Sequence, residues 1–586
     1  MSITINGREI EFAEGETVLT VAKRAGIEIP HLCSLEWAPS PAASCRLCMV
    51  EVEGSPRLQT SCTLEARDGM KVRTHTTRLL KHRRTIMELL VASHPQDCLT
   101  CVRGGDCELA TLAADVGVRE HRYSGITKGH RMDISSQAIT RDPNKCVLCG
   151  RCVTMCHSVQ GVGAIDFVGR GFKTNVAPAF HPGLNVSGCI FCGQCVRACP
   201  TGALSERSHV DAVVAAIADP GAVVVVQVAP AVPVTLVESV AGATPHALLE
   251  RLAAALKRIG FDAVFDTGFT ADLTIMEEGS ELVKRVQEGG VLPMFTSCSP
   301  GWVQYVETYR PELIPNLSTC KSPQQMAGAL IKLLYPRQVD LSGKRLVVVS
   351  VMPCTAKKFE AQDQGDVDYV LTTRELAALL GRFGMDLNKF DEREALDAPF
   401  GEATGAGRLF AGTGGVMEAA VRTAHKLLTG DELPDGPKVT EARGLDGLKT
   451  FSVEAGGVTL NMGIVNGLGR LNAALELMEQ GGMDLHFVEV MTCPGGCIGG
   501  GGQPYSTDLA AVRERLDRLY ELDRRSRRRV SHENFGVQAL YERLLGEPLS
   551  KAGHELLHRT YVDRSGWQEH RTQRDEARTE SAAGVA

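Results

Sequence analysis

Residues 489–504 read Glu-Val-Met-Thr-Cys493-Pro-Gly-Gly-Cys497-Ile-Gly-Gly-Gly-Gly-Gln-Pro. Two cysteines sit in a loop with six glycines. Glycine has no Cβ, so such a loop can bring its backbone close to a large ligand and take up positive φ. Two thiolates there suit a bulky metal cluster better than a single zinc ion. The expectation is a loop that closes over a catalytic metal centre, supplied with electrons by cysteines upstream.

The rest of the chain is consistent with that expectation. It holds 20 cysteines in 586 residues, most of them in Cys-x2-Cys spacing, which favours metal ligation over disulfides. The length calls for several domains. A hydrophobic content of 44% is that of a globular protein, and a net charge of −7 with 5% aromatic residues offers nucleic acid neither a basic surface nor stacking platforms. The N-terminus carries no secretory pattern. The most apolar run, 212–240, is broken by Asp219, Pro220, Gly221, Gln227, Pro230 and Pro233. It reads as a helix end followed by a buried strand, Ala222–Val228, and not as a membrane span. A cytoplasmic protein with neither nucleic-acid nor membrane partners is expected.

Residues 3–12 alternate around Asn6-Gly7, a hairpin signal, and Thr17–Ala25 reads as a short helix. Cys33, Cys45, Cys48 and Cys62 follow with gaps of 11, 2 and 13. A zinc ribbon would want two Cys-x2-Cys knuckles, and only one is present. The segment resembles the β-grasp [2Fe–2S] ferredoxins of respiratory complex I and iron hydrogenases. After an amphipathic helix at Leu79–Ala92 comes His94-Pro-Gln-Asp-Cys98-Leu-Thr-Cys101-Val-Arg-Gly-Gly-Asp-Cys107. This resembles the one-histidine, three-cysteine [4Fe–4S] motif of the same proteins. An imidazole in place of a thiolate removes a negative charge and tunes the potential.

An internal repeat comes next. Cys146-x2-Cys149-x2-Cys152-x3-Cys156 is echoed by Cys189-x2-Cys192-x2-Cys195-x3-Cys199-Pro200, the bacterial two-cluster ferredoxin run. In that run the fourth cysteine serves the other cluster. One [4Fe–4S] is therefore assigned to Cys146, Cys149, Cys152 and Cys199, and the other to Cys189, Cys192, Cys195 and Cys156.

From about 210, apolar runs (Ala222–Val228, Arg345–Val351, Phe487–Met491) alternate with helical stretches at 246–259 and 411–427, which predicts α/β with a largely parallel sheet. Within it lie Phe295-Thr-Ser-Cys298-Ser299-Pro-Gly-Trp302 and Val351-Met352-Pro-Cys354-Thr-Ala-Lys357-Lys-Phe-Glu360. Together with the opening loop they resemble the three signatures of the iron-only ([FeFe]) hydrogenases, TSCCPxW, MPCxxKxxE and ExMxCxxGCxxGGGQP. Ala271–Glu278 and Gly412–Glu418 also look like this family, and the resemblance covers residues 1 to about 563. Residues 531–563 resemble its small-subunit segment.

The resemblance implies an H-cluster, a [4Fe–4S] cube bridged to a diiron unit that carries CO, CN⁻ and a dithiolate. It makes Cys354, Cys493 and Cys497 ligands, with Cys497 the bridge. Lys357 would donate to a cyanide, and Met352 and Met491 would wall the diiron unit. Glu278, Glu281 and Ser318 fall at proton-relay positions. The first signature departs from the family, with Cys298-Ser299 in place of two cysteines. Position by position, Cys298 takes the proton-donor slot and Ser299 the ligand slot. The loop could instead shift so that Cys298 ligates and Ser299 relays protons. The softer thiolate suits iron better than an alkoxide, so the shifted arrangement is the one expected. Cys320 is left over, as a small core residue or as compensation for the missing cysteine.

The expected organisation is a [2Fe–2S] domain at 1–77, a one-histidine/three-cysteine segment at 78–125, a two-[4Fe–4S] domain at 138–209, a catalytic H-cluster domain at 210–515, a helical small-subunit-like segment at 516–565 and a disordered tail at 566–586. Thr507–Asp523 reads as a helix, and Arg524–Arg529, five arginines in six residues, as a solvated linker. The implied function is interconversion of H2 with protons and electrons. Implied cofactors are one [2Fe–2S], three accessory [4Fe–4S] and the H-cluster. No dinucleotide glycine fingerprint follows a strand, so NAD(P) would need a separate flavoprotein. The implied partners are therefore that flavoprotein or ferredoxin, small iron–sulfur subunits, and maturation proteins for the diiron unit. The competing readings are a hydrogen-sensing or iron–sulfur assembly relative, and a non-catalytic complex I-like subunit.

Overall fold

The computed structural model describes residues 1–566 except 36–41, 121, 127, 181–182, 435–437, 480–483 and 507. Of the tail expected to be disordered, 567–586 lie outside the described residues.

The N-terminal strands Ser2–Ile5 and Arg8–Glu11 pair antiparallel through Asn6 and Gly7, both at positive φ (52° and 84°), as a two-residue hairpin turn requires. Ser2–Ile5 also runs parallel to Lys71–Arg73, within a five-stranded sheet completed by Met49–Val52 and Gln59–Thr60. Helix Val18–Arg24, capped by the Thr17 hydroxyl, lays Val18, Val21 and Ala22 on Ile3, Ile5 and Val72. Helix Thr77–Ala92 leads directly to His94. In the next unit, strands Ile139–Arg141 and Leu204–Glu206 pair antiparallel. The two cysteine runs repeat in three dimensions. Short helices Arg151–Thr154 and Gln194–Ala198 each start from a left-handed glycine, Gly150 (φ 81°) and Gly193 (φ 69°), between the second and third cysteine of the run.

The expected α/β domain contains two sheets, not one. Ala263–Asp266, Ala222–Val228, Arg345–Met352 and Tyr369–Thr372 form an all-parallel sheet in that order. The strand at 222–228 is the one read from the apolar run. A second sheet orders Met294–Phe295, Phe487–Met491, Val458–Asn466 and Leu448–Ala455. Its last pair is an antiparallel hairpin through Gly456 and Gly457. Helix Thr267–Glu288 joins the two cores: Phe269 and Leu273 pack in the first, and Ala271, Ile275 and Leu282 in the second. Its two apolar stripes, offset by two residues, occupy different faces.

The three signature segments leave the carboxyl ends of Met294–Phe295, Arg345–Met352 and Phe487–Met491. That is where open parallel sheets bind ligands. Helix Leu509–Arg525 is anchored by Asp523, which is buried with Arg422 (3.0 Å) and bonded to Arg529 (2.6 Å). The arginine run is therefore only partly solvated, because Arg529 turns inward and Arg528 lies over Phe535. Among the described residues no helix is long and apolar enough to cross a membrane.

Candidate metal centre and proton route

The loop at 489–504 is seated by its glycines. A Cβ on Gly500 would stand 2.2 Å from the Pro353 carbonyl oxygen, and one on Gly501 would stand 2.2 Å from that of Cys192. Gly499 offers its carbonyl to Gln194 (2.8 Å) and Arg197 (3.1 Å) of the second cysteine run. No other residue could approach these backbones so closely. Beneath the loop is a cavity of ≈ 90 Å3 that Cys298, Ser299, Cys354, Cys493 and Cys497 share with Met352, Met491 and Lys357. Cys192 of the upstream run reaches the same cavity. Cys493 lies beside both Cys354 and Cys497, and burial pushes the Cys493 and Cys497 thiols up to about 12. Sulfurs held this way have no stable anionic form without a metal. The donor set and its apolar walls thus fit an iron–sulfur centre.

Cys298 and Ser299 face different sides. The Ser299 hydroxyl lies 2.8 Å from Thr492 Oγ1 and accepts the Thr492 N–H, next to Cys493. Cys298 lies beside Glu278, Cys497, Lys357 and Glu489, and burial raises its thiol far above the ordinary value. Glu278 is fully buried, and its carboxyl is pushed up to about 8 by desolvation, with Glu281 adding to the shift. Its Oε1 accepts the Ser297 N–H at 3.4 Å, while Oε2 has no hydrogen-bond partner among the described residues. Ser318 stands beside Glu278 and donates to Glu281 at 2.9 Å. The order Cys298, Glu278, Ser318, Glu281 is therefore contiguous.

Lys357 donates to the Cys298 carbonyl oxygen (3.2 Å) and to Glu360 (2.9 Å). Glu360, quoted in its signature without a role, is thus the lysine's counter-ion. Glu489, the first residue of the loop, accepts the N–H groups of Gly414 (2.6 Å) and Met417 (2.7 Å) at the start of helix Gly415–Thr429. Burial nevertheless holds its carboxyl up at about 7. Thr492 was missed by the sequence reading, and nothing local to it signals its contact with Ser299. Cys320 is fully buried, 3.9 Å from Glu281, and does not line the cavity. It therefore does not compensate for the missing cysteine there.

The residues expected to hold the accessory clusters also gather. Cys33 lies beside Cys45 and Cys62, and Cys48 Sγ is 3.4 Å from Cys62 Sγ. His94 keeps a buried Nδ1 with no hydrogen-bond partner among the described residues, an orphan that suits a metal ligand. Near it, a Cβ on Gly202 would meet Cys101 Sγ at 2.7 Å, and Cys107 lies 3.7 Å from the Pro200 carbonyl. Cys98 is exposed. One small cavity is lined by Cys146, Cys149, Cys152 and Cys199, and a second by Cys156, Cys189, Cys192 and Cys195, the crossed-over sets.

The Glu278 carboxyl yields a sign-definite prediction. Its folded value of about 8 exceeds the ordinary value of about 4.3. The folded state therefore loses stability as pH rises from about 4 to about 8. Glu278→Gln, which mimics the protonated form, should raise the Tm of the metal-free chain relative to wild type, with the gain growing from about pH 5 to about pH 8. A gain that shrinks with rising pH contradicts the burial argument.

A family model described as "Iron only hydrogenase large subunit, C-terminal domain" matches residues 222–501, and one for "Iron hydrogenase small subunit" matches 509–564. Models for a 2Fe-2S cluster-binding domain, the NADH-ubiquinone oxidoreductase-G iron-sulfur region and a 4Fe-4S dicluster domain match 1–77, 83–122 and 145–203. The chain is 46% identical over 585 residues to the NADP-reducing hydrogenase subunit HndD of Solidesulfovibrio fructosivorans, covering 96% of this chain and 99% of that one. It is 38% identical to iron hydrogenase 1 of Clostridium pasteurianum, again over 96% and 99%. A solved structure of a variant of apo [FeFe]-hydrogenase HydA1 from Chlamydomonas reinhardtii is 42% identical and superposes with a TM-score of 0.53, covering 61% of this chain and 99% of that one. The chain belongs to the iron-only, or [FeFe], hydrogenases, oxidoreductases that interconvert H2 with protons and electrons.

Proposed function

We propose that this chain is the catalytic subunit of a cytoplasmic NADP-linked hydrogenase, in which Cys298 starts the proton route and Ser299 occupies the fourth ligand position of the cube. The observation that carries the assignment is the opposed placement of the two side chains, with Cys298 against Glu278 and Ser299 against Thr492 beside Cys493. This reverses the arrangement expected from ligand softness alone, because the backbone at 296–299 gives neither residue the other's neighbours. The H-cluster, when bound, supplies the redox-active irons on which two protons and two electrons combine as H2.

The residues divide the remaining work. Cys354, Cys493 and Cys497 would hold the cube, and Cys497, which lies beside Cys298, would link it to the diiron unit. Lys357 has three donors, of which Cys298 O and Glu360 use two, leaving one for a cyanide. Met352 and Met491 supply soft walls that keep water out. Cys298 passes a proton to or from Glu278, whose raised carboxyl matches a relay working near neutral pH. Ser318 and Glu281 extend the route outward. The Cys156/Cys189/Cys192/Cys195 site would supply electrons to the cube, since Cys192 lines the same cavity. The Cys146/Cys149/Cys152/Cys199 site adjoins it, with Cys152 beside Cys195, and would take electrons from the His94/Cys98/Cys101/Cys107 site and the Cys33/Cys45/Cys48/Cys62 [2Fe–2S] site, which meet it at Pro200 and Cys149. The NADP acceptor rests on the name and near-complete coverage of the 46% identical relative. It implies a flavoprotein partner.

Cys298→Ala should keep the electron paramagnetic resonance signal of the reduced cube and lose at least ~10²-fold in turnover, the range of a removed acid–base group. Ser299→Cys should keep turnover and shift the g-values of the cube. Loss of the cube signal in Cys298→Ala would overturn the assignment. With a flavoprotein partner present, H2 should reduce NADP⁺. Reduction of ferredoxin but not of NADP⁺ in that mixture would remove the acceptor.

A further inference from the structure

The proton route described above stops at Glu281, and Glu281 is 8% exposed. What touches its carboxylate decides where protons can go next. Oε1 accepts from Arg285 at 2.6 Å, but a guanidinium stays protonated and cannot take up a proton. Oε2 accepts from Ser318, from the Thr319 N–H (3.0 Å) and from the Thr319 hydroxyl (3.4 Å). That hydroxyl lies 2.7 Å from His558 Nδ1. Ligand atoms of Glu281, Cys320 and His558 all lie within 4.8 Å of one another, and all three residues are buried.

His558 comes from the far end of the chain and is fixed by backbone. The Lys321 N–H donates to the Leu557 carbonyl oxygen (2.7 Å), and the Arg559 N–H donates to that of Thr319 (2.8 Å). The other ring nitrogen, Nε2, is 3.1 Å from Glu277 Oε2, and Glu277 Oε1 accepts the Tyr541 hydroxyl at 2.6 Å. The His554 ring lies 4.2 Å from that of His558, and His554 is exposed. Two imidazoles, from helix Lys551–Leu557 and the residue after it, therefore stand in ring contact between solvent and Thr319, with no hydrogen bond between the rings among the described residues.

We propose that protons enter and leave this hydrogenase through His554 and His558, with the Thr319 hydroxyl bridging His558 to Glu281. The chemistry matches the groups. A neutral imidazole has one donor and one acceptor nitrogen and can take a proton on one side while releasing one on the other. A hydroxyl both donates and accepts, so it can pass a proton without ever holding a charge. Moving inward, His558 takes a proton at Nε2, beside Glu277 and the His554 ring, as Nδ1 releases one to the Thr319 hydroxyl, which passes its own proton to Glu281; no electron is displaced. Glu277 orients the His558 ring and balances its charge while it carries the extra proton. The C-terminal segment thus contributes to turnover and does more than pack.

The inference rests on the Glu278–Ser318–Glu281 route, and the test separates the two. The matured full-length enzyme is assayed for H2 evolution and oxidation, with infrared and paramagnetic resonance spectra as integrity controls. His558→Phe keeps the ring's bulk and removes its nitrogens. It should lower kcat at least about tenfold, leave the spectra unchanged and be restored in large part by added imidazole. Thr319→Val should lower kcat similarly, and combining it with His558→Phe should add little. His554→Ala should show a smaller loss, also relieved by imidazole. Wild-type kcat in His558→Phe, or a loss that imidazole does not relieve, overturns the proposal. If His558→Phe fails to mature, wild-type kcat in Thr319→Val and His554→Ala overturns it equally. If Glu281→Gln retains full turnover, the inner route itself fails. If Glu281→Gln is inactive while His558→Phe is not, only the exit through the histidines fails.

Discussion

The catalytic half of the molecule depends on one close approach of backbones. Residues 500–502 lie on Pro353, on Thr372 and on the Cys192–Gly193 turn at distances that exclude any Cβ. This contact brings Cys493 and Cys497 to Cys354 and sets all three against the cysteine run that feeds them. It also explains why the loop carries glycines where other loops would carry side chains. The gain is geometric: glycines 499–502 bring backbone alone to the contact, and the loop's carbonyls are met by Gln194, Arg197 and Arg374.

Around that contact the fold separates two kinds of traffic. Electrons arrive from the ferredoxin-like side, through cysteines that line the same cavity as the cube ligands. The proposed proton route runs along helix Thr267–Glu288. This helix sits between two cores and can therefore bury Glu277, Glu278 and Glu281 on a single element. Burial without a cation keeps Glu278 protonated near neutral pH. Three residues on, Glu281 lies nearer the rim and pairs with Arg285 at 2.6 Å.

Much of this could be read from residue spacing. Asn6-Gly7 foretells the first hairpin, and the apolar run foretells the strand at 222–228. Cysteine periodicity foretells the crossed-over sets that line the two small cavities. These are local patterns with a single physical solution. Pairings across hundreds of residues were not legible. The split into two sheets depends on Met294–Phe295 choosing Phe487–Val488 as its partner. The contact of Thr492 with Ser299 spans 193 positions, and that of His558 with Thr319 spans 239. The arginine run looks uniformly solvated until Asp523 is placed beside Arg529. Ligand softness is silent on which side chain faces Glu278; the turn after Phe295 puts Cys298 there and Ser299 against Thr492.

The central claim is that the cavity under residues 489–504 holds a diiron unit with CO and CN⁻ ligands, bridged to a cube. Infrared spectroscopy of the matured chain tests it most directly, because metal-bound CO and CN⁻ absorb where protein does not. The account predicts both sets of bands in the wild-type chain. A fully matured chain that contains its iron yet shows neither set would contradict it.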